Sequence, residues 1–170
     1  MVKERPSWDE YFMMVALLSS TRASCNYFSA GAVIVKDKRV IATGYNGAPQ
    51  GILSCLDSGC RKDRMNVSHE EKNTGTCIGE HAERSALLQV SRDSTIGAAI
   101  YSLLLPCTDC SKQIVGAGIK KVVYLNAYEE PNNLVRELFD QAEIELKQIK
   151  LDLEKMYGFM TFARDRKLKK

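Results

Sequence analysis

Two short motifs restrict how this chain can fold more than anything else in it: His81-Ala82-Glu83, and further on Pro106-Cys107-Thr108-Asp109-Cys110. Cys107 and Cys110 stand at i and i+3, neighbours on one helical face, and a proline just before them suits a helix start. Residues at i and i+2 of a helix body do not face each other. His81 and Glu83 can therefore share a site only where a helix begins, and Gly79 just upstream fits such a start. The fold must bring two helix N-termini together, each contributing its first turn. Helix starts also carry orphan N–H groups and the positive end of the helix dipole, which favour thiolates.

The residue types then suggest the chemistry. His81, Cys107 and Cys110 supply three ligands for Zn2+, and three protein ligands plus water is the catalytic arrangement, whereas a closed set of four is structural. With two thiolates the ion is formally neutral and the site can still hold hydroxide; zinc lowers the pKa of bound water to about 7. Glu83 is the group that would carry a proton from that water to a ring nitrogen and a leaving amine, the proton traffic of hydrolytic deamination. A structural zinc at C-x-x-C plus a distant histidine is the competing reading. The glutamate two residues after the histidine and the proline before the first cysteine favour catalysis, matching the signature of zinc deaminases.

The surroundings are consistent with a small soluble protein. The chain has 170 residues, 45% hydrophobic and 26% charged, enough for one domain with its own core. Ser7-Trp8-Asp9-Glu10 is a capping box, and Trp8, Phe12, Val15, Ala16 and Leu18 recur at helical spacing to about Ser20. Ala32–Val35 and Val40–Ala42 flank the turn Asp37-Lys38 as a hairpin, and residues 44–49 have loop chemistry. Residues from about 50 to 79 show no steady period, unusual in a compact domain unless the segment is functional or clamped. A helix from His81 to about Val90 follows, then a strand Ala98–Leu105, a helix from Pro106 through Val115, a strand Lys121–Tyr124, a helix Asn133–Asp140 and a strand Ile144–Leu146. This alternation predicts a mixed sheet with helices on both faces. Beyond Lys150 the chain has helical character but no evident anchor.

At this level of detail the chain resembles deoxycytidylate (dCMP) deaminases of the cytidine deaminase superfamily. The resemblance runs from about Trp8 to Gln148. It rests on Thr21-Arg22-Ala23-Ser24-Cys25, Gly31 to Asp37, Thr43-Gly44-Tyr45-Asn46-Gly47-Ala48-Pro49 and the two zinc motifs. It implies an α/β fold, a three-layer α/β/α sandwich around a central mixed five-stranded sheet, and the conversion of dCMP to dUMP with release of ammonia. It implies that Arg22 lies near the substrate phosphate, which its planar fork suits, and that Asn46, able to donate and accept, bonds to the nucleotide. Tyr128 matches an aromatic near the nucleotide. The resemblance also implies a homo-oligomer, often a hexamer, with dCTP activating, dTTP inhibiting, and Mg2+ accompanying dCTP. Ser111 and Lys112 after Cys110, and Gln141-Ala142-Glu143-Ile144, depart from the family pattern without touching the zinc motifs.

Four further cysteines, Cys25, Cys55, Cys60 and Cys77, flank or lie within the aperiodic segment. Four thiolates would make a closed second zinc site and order that segment, since a metal clip offsets loop entropy; some relatives hold a structural zinc with residues matching Cys25 and Cys55. Ordinary buried thiols are the alternative, and His69 is an alternate ligand. Six cysteines without an apolar leader favour metal binding over disulfides and a cytoplasmic location. No run of about 18 apolar residues is present that could span a bilayer. A net charge of +3 and an aromatic share of 8% argue against a nucleic-acid partner and for a small anionic substrate. The basic cluster from Arg164 to Lys170 is expected to be a solvated tail. A deaminase of free nucleosides or of tRNA adenosine, and a zinc-stabilised binding module without turnover, are the remaining alternatives.

Overall fold

The computed structural model describes residues 5–69, 71, 75–127 and 133–165. Helix α1, Trp8–Ser20, begins with the capping box expected from the sequence: the Glu10 amide donates to Ser7 Oγ at 3.2 Å, and the Ser7 amide donates to the Glu10 carboxylate at 2.7 Å. Phe12, Met13 and Ala16 form its buried face.

Strand β1, Gly31–Lys36, turns back into β2, Arg39–Tyr45, through Asp37 and Lys38, both at positive φ. Positive φ at both central residues matches the strand twist of a tight hairpin. Strand β2 is longer than the sequence suggested, because Gly44 and Tyr45 pair with Ala32 and Gly31. Two four-residue helices, α2 at Cys55–Ser58 and α3 at Arg61–Arg64, interrupt the segment that lacked a period. Three cations bridge it. Arg61 donates to the Thr76 carbonyl at 3.0 Å, Arg64 donates to that of Ser58, and the buried Lys62 donates to those of Ser68 and Glu71. Backbone polar groups in a loop need such partners when no ladder supplies them.

Helices α4, Ala82–Leu87, and α5, Arg92–Thr95, lead to β3, Ala99–Leu104; α4 ends three residues before the expected Val90, and the chain then turns into α5. Helix α6, Thr108–Gly116, precedes β4, Lys121–Asn126; α7, Leu134–Gln141, precedes β5, Glu145–Gln148; α8 spans Leu153–Asp165. The five strands lie in the order β2-β1-β3-β4-β5, with β1 antiparallel to β2 and β3, and β3, β4 and β5 mutually parallel.

Strand side chains alternate between two layers. Ala32, Ile34, Ile100, Val122 and Tyr124 pack with Ala82 and Ala86 of α4, Ile114 of α6, and Val135 and Phe139 of α7. Val33, Val35, Tyr101, Leu103 and Val123 pack with Phe12, Met13 and Ala16 of α1. The result is the three-layer α/β/α arrangement around a mixed five-stranded sheet. The C-terminal helix also gains a position that its sequence did not reveal. Met156 of α8 is buried, and Lys155 pairs with Glu10 of α1 at 3.3 Å. Among the described residues, no helix is long and apolar enough to cross a membrane.

Candidate metal centre

Both motif segments start helices, α4 one residue and α6 two residues later than the sequence suggested. His81 is the N-cap of α4 and Cys107 the N-cap of α6, each with extended backbone. An N-cap residue stands half outside the helix, so its side chain can turn across the end while the first-turn residues follow it. His81 Nδ1 lies 3.5 Å from Cys107 Sγ and 3.5 Å from Cys110 Sγ. The candidate ligand atoms of His81, Cys107 and Cys110 all lie within 4.8 Å of one another. Two sulfurs and one imidazole nitrogen are a donor set that suits Zn2+.

Glu83 sits in the first turn of α4, only 6% exposed, with its carboxylate beside this cluster. The Ser102 hydroxyl donates to Glu83 Oε1 at 2.9 Å, and Glu83 Oε2 is 3.7 Å from Cys110 Sγ. Burial pushes the Glu83 carboxyl above the usual carboxylate range, and hydrogen bonds from its own backbone amide and from Ser102 only partly offset this. A hydrogen bond from Cys110, helped by His81, holds the Cys107 thiol down at about 3, against the effect of burial. The same hydrogen bond and burial push Cys110 up. Hydrogen bonding to Cys107 raises His81 above the usual imidazole range. A cation entering this donor set competes with the protons on its ligands.

The approach of α4 to the sheet depends on Gly44. A Cβ there would stand 2.1 Å from the Ala82 carbonyl oxygen and 2.4 Å from the Ala86 nitrogen. Residues Gly44 to Gly47 therefore belong partly to a strand under the helix rather than to a free loop. Gly47 pairs with Glu80 through backbone bonds of 3.2 and 2.7 Å, and Glu80 pairs with Arg84 one turn into α4. The Arg84 Nε is buried without a hydrogen-bond partner among the described residues.

The other candidate residues are distributed unevenly. Asn46 lies next to this bridge, but its side chain is engaged: Oδ1 accepts from the Ala30 amide at 2.7 Å and Nδ2 donates to the Phe28 carbonyl at 2.9 Å. Arg22 is exposed and lines a cavity of about 350 Å³ between α1 and β2, with Leu18, Thr43 and Tyr45; none of the four motif residues lines that cavity. Tyr128 lies outside the described residues.

Burial, with the neighbouring Cys60, Cys25 and Cys77, pushes the Cys55 thiol up. Among the described residues, the second group whose candidate ligand atoms all lie within 4.8 Å of one another is not the four thiols, however. It is Cys60, Asp63 and His69. Asp63 accepts from Tyr27 at 2.6 Å and pairs with His69 at 2.7 Å, with the Tyr27 and His69 rings 4.0 Å apart. Asp63 was not singled out from the sequence, where one carboxylate among many in a polar stretch carries no signal. Ser102 was not singled out either, although a single serine in the otherwise apolar and aromatic strand Ala98–Leu105 is the visible clue.

Residues 6–126 match the family described as the cytidine and deoxycytidylate deaminase zinc-binding region. The chain is 45% identical over 125 residues to the deoxycytidylate deaminase of Saccharomyces cerevisiae, covering 73% of this chain and 39% of that protein. It is 43% identical over 122 residues to the deoxycytidylate deaminase of Mycobacterium phage D29, covering 71% of this chain and 95% of that one. In fold it is similar to the dCMP deaminase of cyanophage S-TIM5 in complex with dCMP and dUMP, with a TM-score of 0.65, 29% identity, and coverage of 86% of this chain and 99% of that one. The chain thus spans about two fifths of the length of the yeast relative it matches.

Proposed function

This chain belongs to the cytidine and deoxycytidylate deaminase family, and on that premise we propose that it hydrolyses dCMP to dUMP and ammonia. The observation that carries the reading is the convergence of His81, Cys107 and Cys110 with a buried carboxylate, Glu83, beside them. The relatives named for this activity, and the S-TIM5 enzyme that binds dCMP and dUMP, support the choice of substrate. His81, Cys107 and Cys110 would hold Zn2+, whose Lewis acidity would make water nucleophilic near neutral pH. Glu83 takes a proton from the water that adds at C4 and delivers it to N3, then moves the proton of the new C4 hydroxyl to the amino group, which leaves as ammonia as the C4 carbonyl forms. Its burial beside the cluster favours the protonated form that must donate. Arg22 holds the substrate phosphate, and Asn46 reaches the nucleotide through the lone pair and the amide hydrogen that its bonds to residues 28 and 30 leave over. Tyr128, outside the described residues, is assigned to the nucleotide site by the family resemblance alone.

A second Zn2+ held by Cys25, Cys55, Cys60 and Cys77, with His69 as alternate ligand, belongs to the same reading. The influence of Cys60, Cys25 and Cys77 on the Cys55 thiol supports the four-cysteine set, and the Cys60, Asp63, His69 group supports His69 as the alternate ligand. Metal analysis should find two zinc ions per chain, one of which is lost on replacing Cys60; a single ion unaffected by that change sinks the second site. Family membership further supports one catalytic domain over residues 1–170, with an insert at about 50–79 and a tail from about 150. It also supports a cytoplasmic homo-oligomer, a hexamer, activated by dCTP with Mg2+ and inhibited by dTTP.

An ammonia-release assay with dCMP tests the central claim, run with cytidine in parallel and with dCTP and dTTP added. In Glu83→Gln the zinc content should be unchanged while kcat falls by roughly 10²–10⁴-fold. Wild-type turnover in that variant refutes the proton-carrying role.

A further inference from the structure

We infer that Ser102 is a positioning residue for the reaction: its hydroxyl holds Glu83 Oε1 so that the other carboxylate oxygen faces the metal-ligating sulfurs. This rests on the reading of Glu83 as the proton carrier. Ser102 is 1% exposed and stands on the sheet face that packs against α4. Its strand neighbour on that face, Ile100, and the residues packed around it, Ala32, Ala82 and Ala86, are apolar. A hydroxyl in such a layer costs free energy unless it is bonded.

Three other buried serine and threonine hydroxyls bond main-chain carbonyls. Ser20 donates to the Leu17 carbonyl, Thr95 to those of Arg92 and Ala117, and Ser111 to that of Pro106. These three satisfy nearby backbone. Ser102 reaches across from β3 to a side-chain carboxylate on α4 at 2.9 Å. The bond fixes one carboxylate oxygen, so the glutamate loses its freedom to rotate about its terminal torsion. The remaining oxygen, Oε2, is left 3.7 Å from Cys110 Sγ, on the side where the reacting atoms would stand. A proton carrier must lie within hydrogen-bond reach of the proton it takes, and a strand residue holds that geometry more rigidly than a loop would.

The test compares Ser102→Thr with Ser102→Val, which add nearly the same volume and differ by a hydroxyl against a methyl. With dCMP as substrate and equal zinc content, Ser102→Val is expected to lose about tenfold to a hundredfold in kcat, the worth of a hydrogen bond to a charged group, with KM within about twofold of wild type. Ser102→Thr should keep a kcat within a few-fold of wild type. In a Glu83→Gln background the two should be indistinguishable. Equal kcat for the two variants with Glu83 intact overturns the inference. If both β-branched variants fail to fold, Ser102→Ala, which removes a single oxygen, must show the same kcat loss. Crystal structures of the zinc-loaded wild type and Ser102→Val give an answer independent of substrate. A Glu83 carboxylate that turns away from its wild-type position supports the role, and one that stays overturns it. Absence of ammonia release from dCMP by the wild type would refute the substrate reading alone and leave Ser102 to that structural comparison.

Discussion

At Gly44 and Gly116 the same substitution has opposite consequences. A Cβ on Gly44 would meet backbone atoms of α4 at 2.1 and 2.4 Å, neither of which is the movable end of a side chain. Gly44→Ala should therefore push α4 outward, carrying His81 and Glu83 with it, and cost about 1–3 kcal/mol in urea unfolding. Activity should fall further than stability alone explains, because the ligand atoms shift. Gly116 ends α6 with nothing within 4 Å of its would-be Cβ and no positive φ. Gly116→Ala should raise the unfolding free energy by about 0.4–1 kcal/mol, since it restricts the unfolded chain without a native clash.

At the scale of elements, Asp9 ties α1 to three strands. Its carboxylate accepts from Tyr101 of β3 at 2.8 Å and from Lys147 of β5 at 2.6 Å, with Lys121 of β4 at 3.9 Å. Burial alone would raise its pKa, but these partners outweigh burial and hold it below the usual value of 3.8. A carboxyl whose folded pKa is depressed stabilises the protein above its unfolded pKa, and that contribution is lost as pH falls through the folded value. Asp9→Asn should thus cost about 1–3 kcal/mol at neutral pH. The gap between variant and wild type should close progressively below pH 3.8 in urea unfolding series. A gap that is constant with pH would mean that packing, not charge, sets the cost. Legibility differed between elements for a related reason. The capping box of α1 and the hairpin turn were readable because local bonds and dihedrals settle them. Helix α5 and the early end of α4 were not, because the chain there satisfies contacts with α6 and the sheet rather than its own period.

Across the whole molecule, the centre links α4 to α6, and α8 is tied to α1 through the Lys155–Glu10 pair. Chelation of the zinc-loaded protein should lower its thermal midpoint, and zinc affinity should fall as pH is lowered, because ligand protons compete with the cation. An unchanged midpoint after complete metal removal would mean that α4 and α6 hold their places by packing alone. Met156, 2% exposed, anchors α8. Met156→Ala should cost about 2–5 kcal/mol if that helix unfolds with the body, and much less if it frays separately.

What the sequence determined by itself was local or chemical. The two motifs implied helix starts, since i and i+2 side chains can meet nowhere else in a helix, and their donor atoms implied zinc. The alternation of strands and helices implied the mixed sheet and its two covered faces. Partnership across the fold belonged to the tertiary structure. It assigned Nδ1 of His81 to the sulfurs, joined Ser102 to Glu83, engaged Asn46 with residues 28 and 30, and set Arg22 in a cavity apart from the motif residues. It also gathered Cys60 with Asp63 and His69. Such contacts join residues far apart in the chain, and their geometry depends on how closely whole layers pack. Gly44 illustrates the difference: in sequence it resembles a turn residue, and only the packed helix above it reveals that the missing side chain is the requirement.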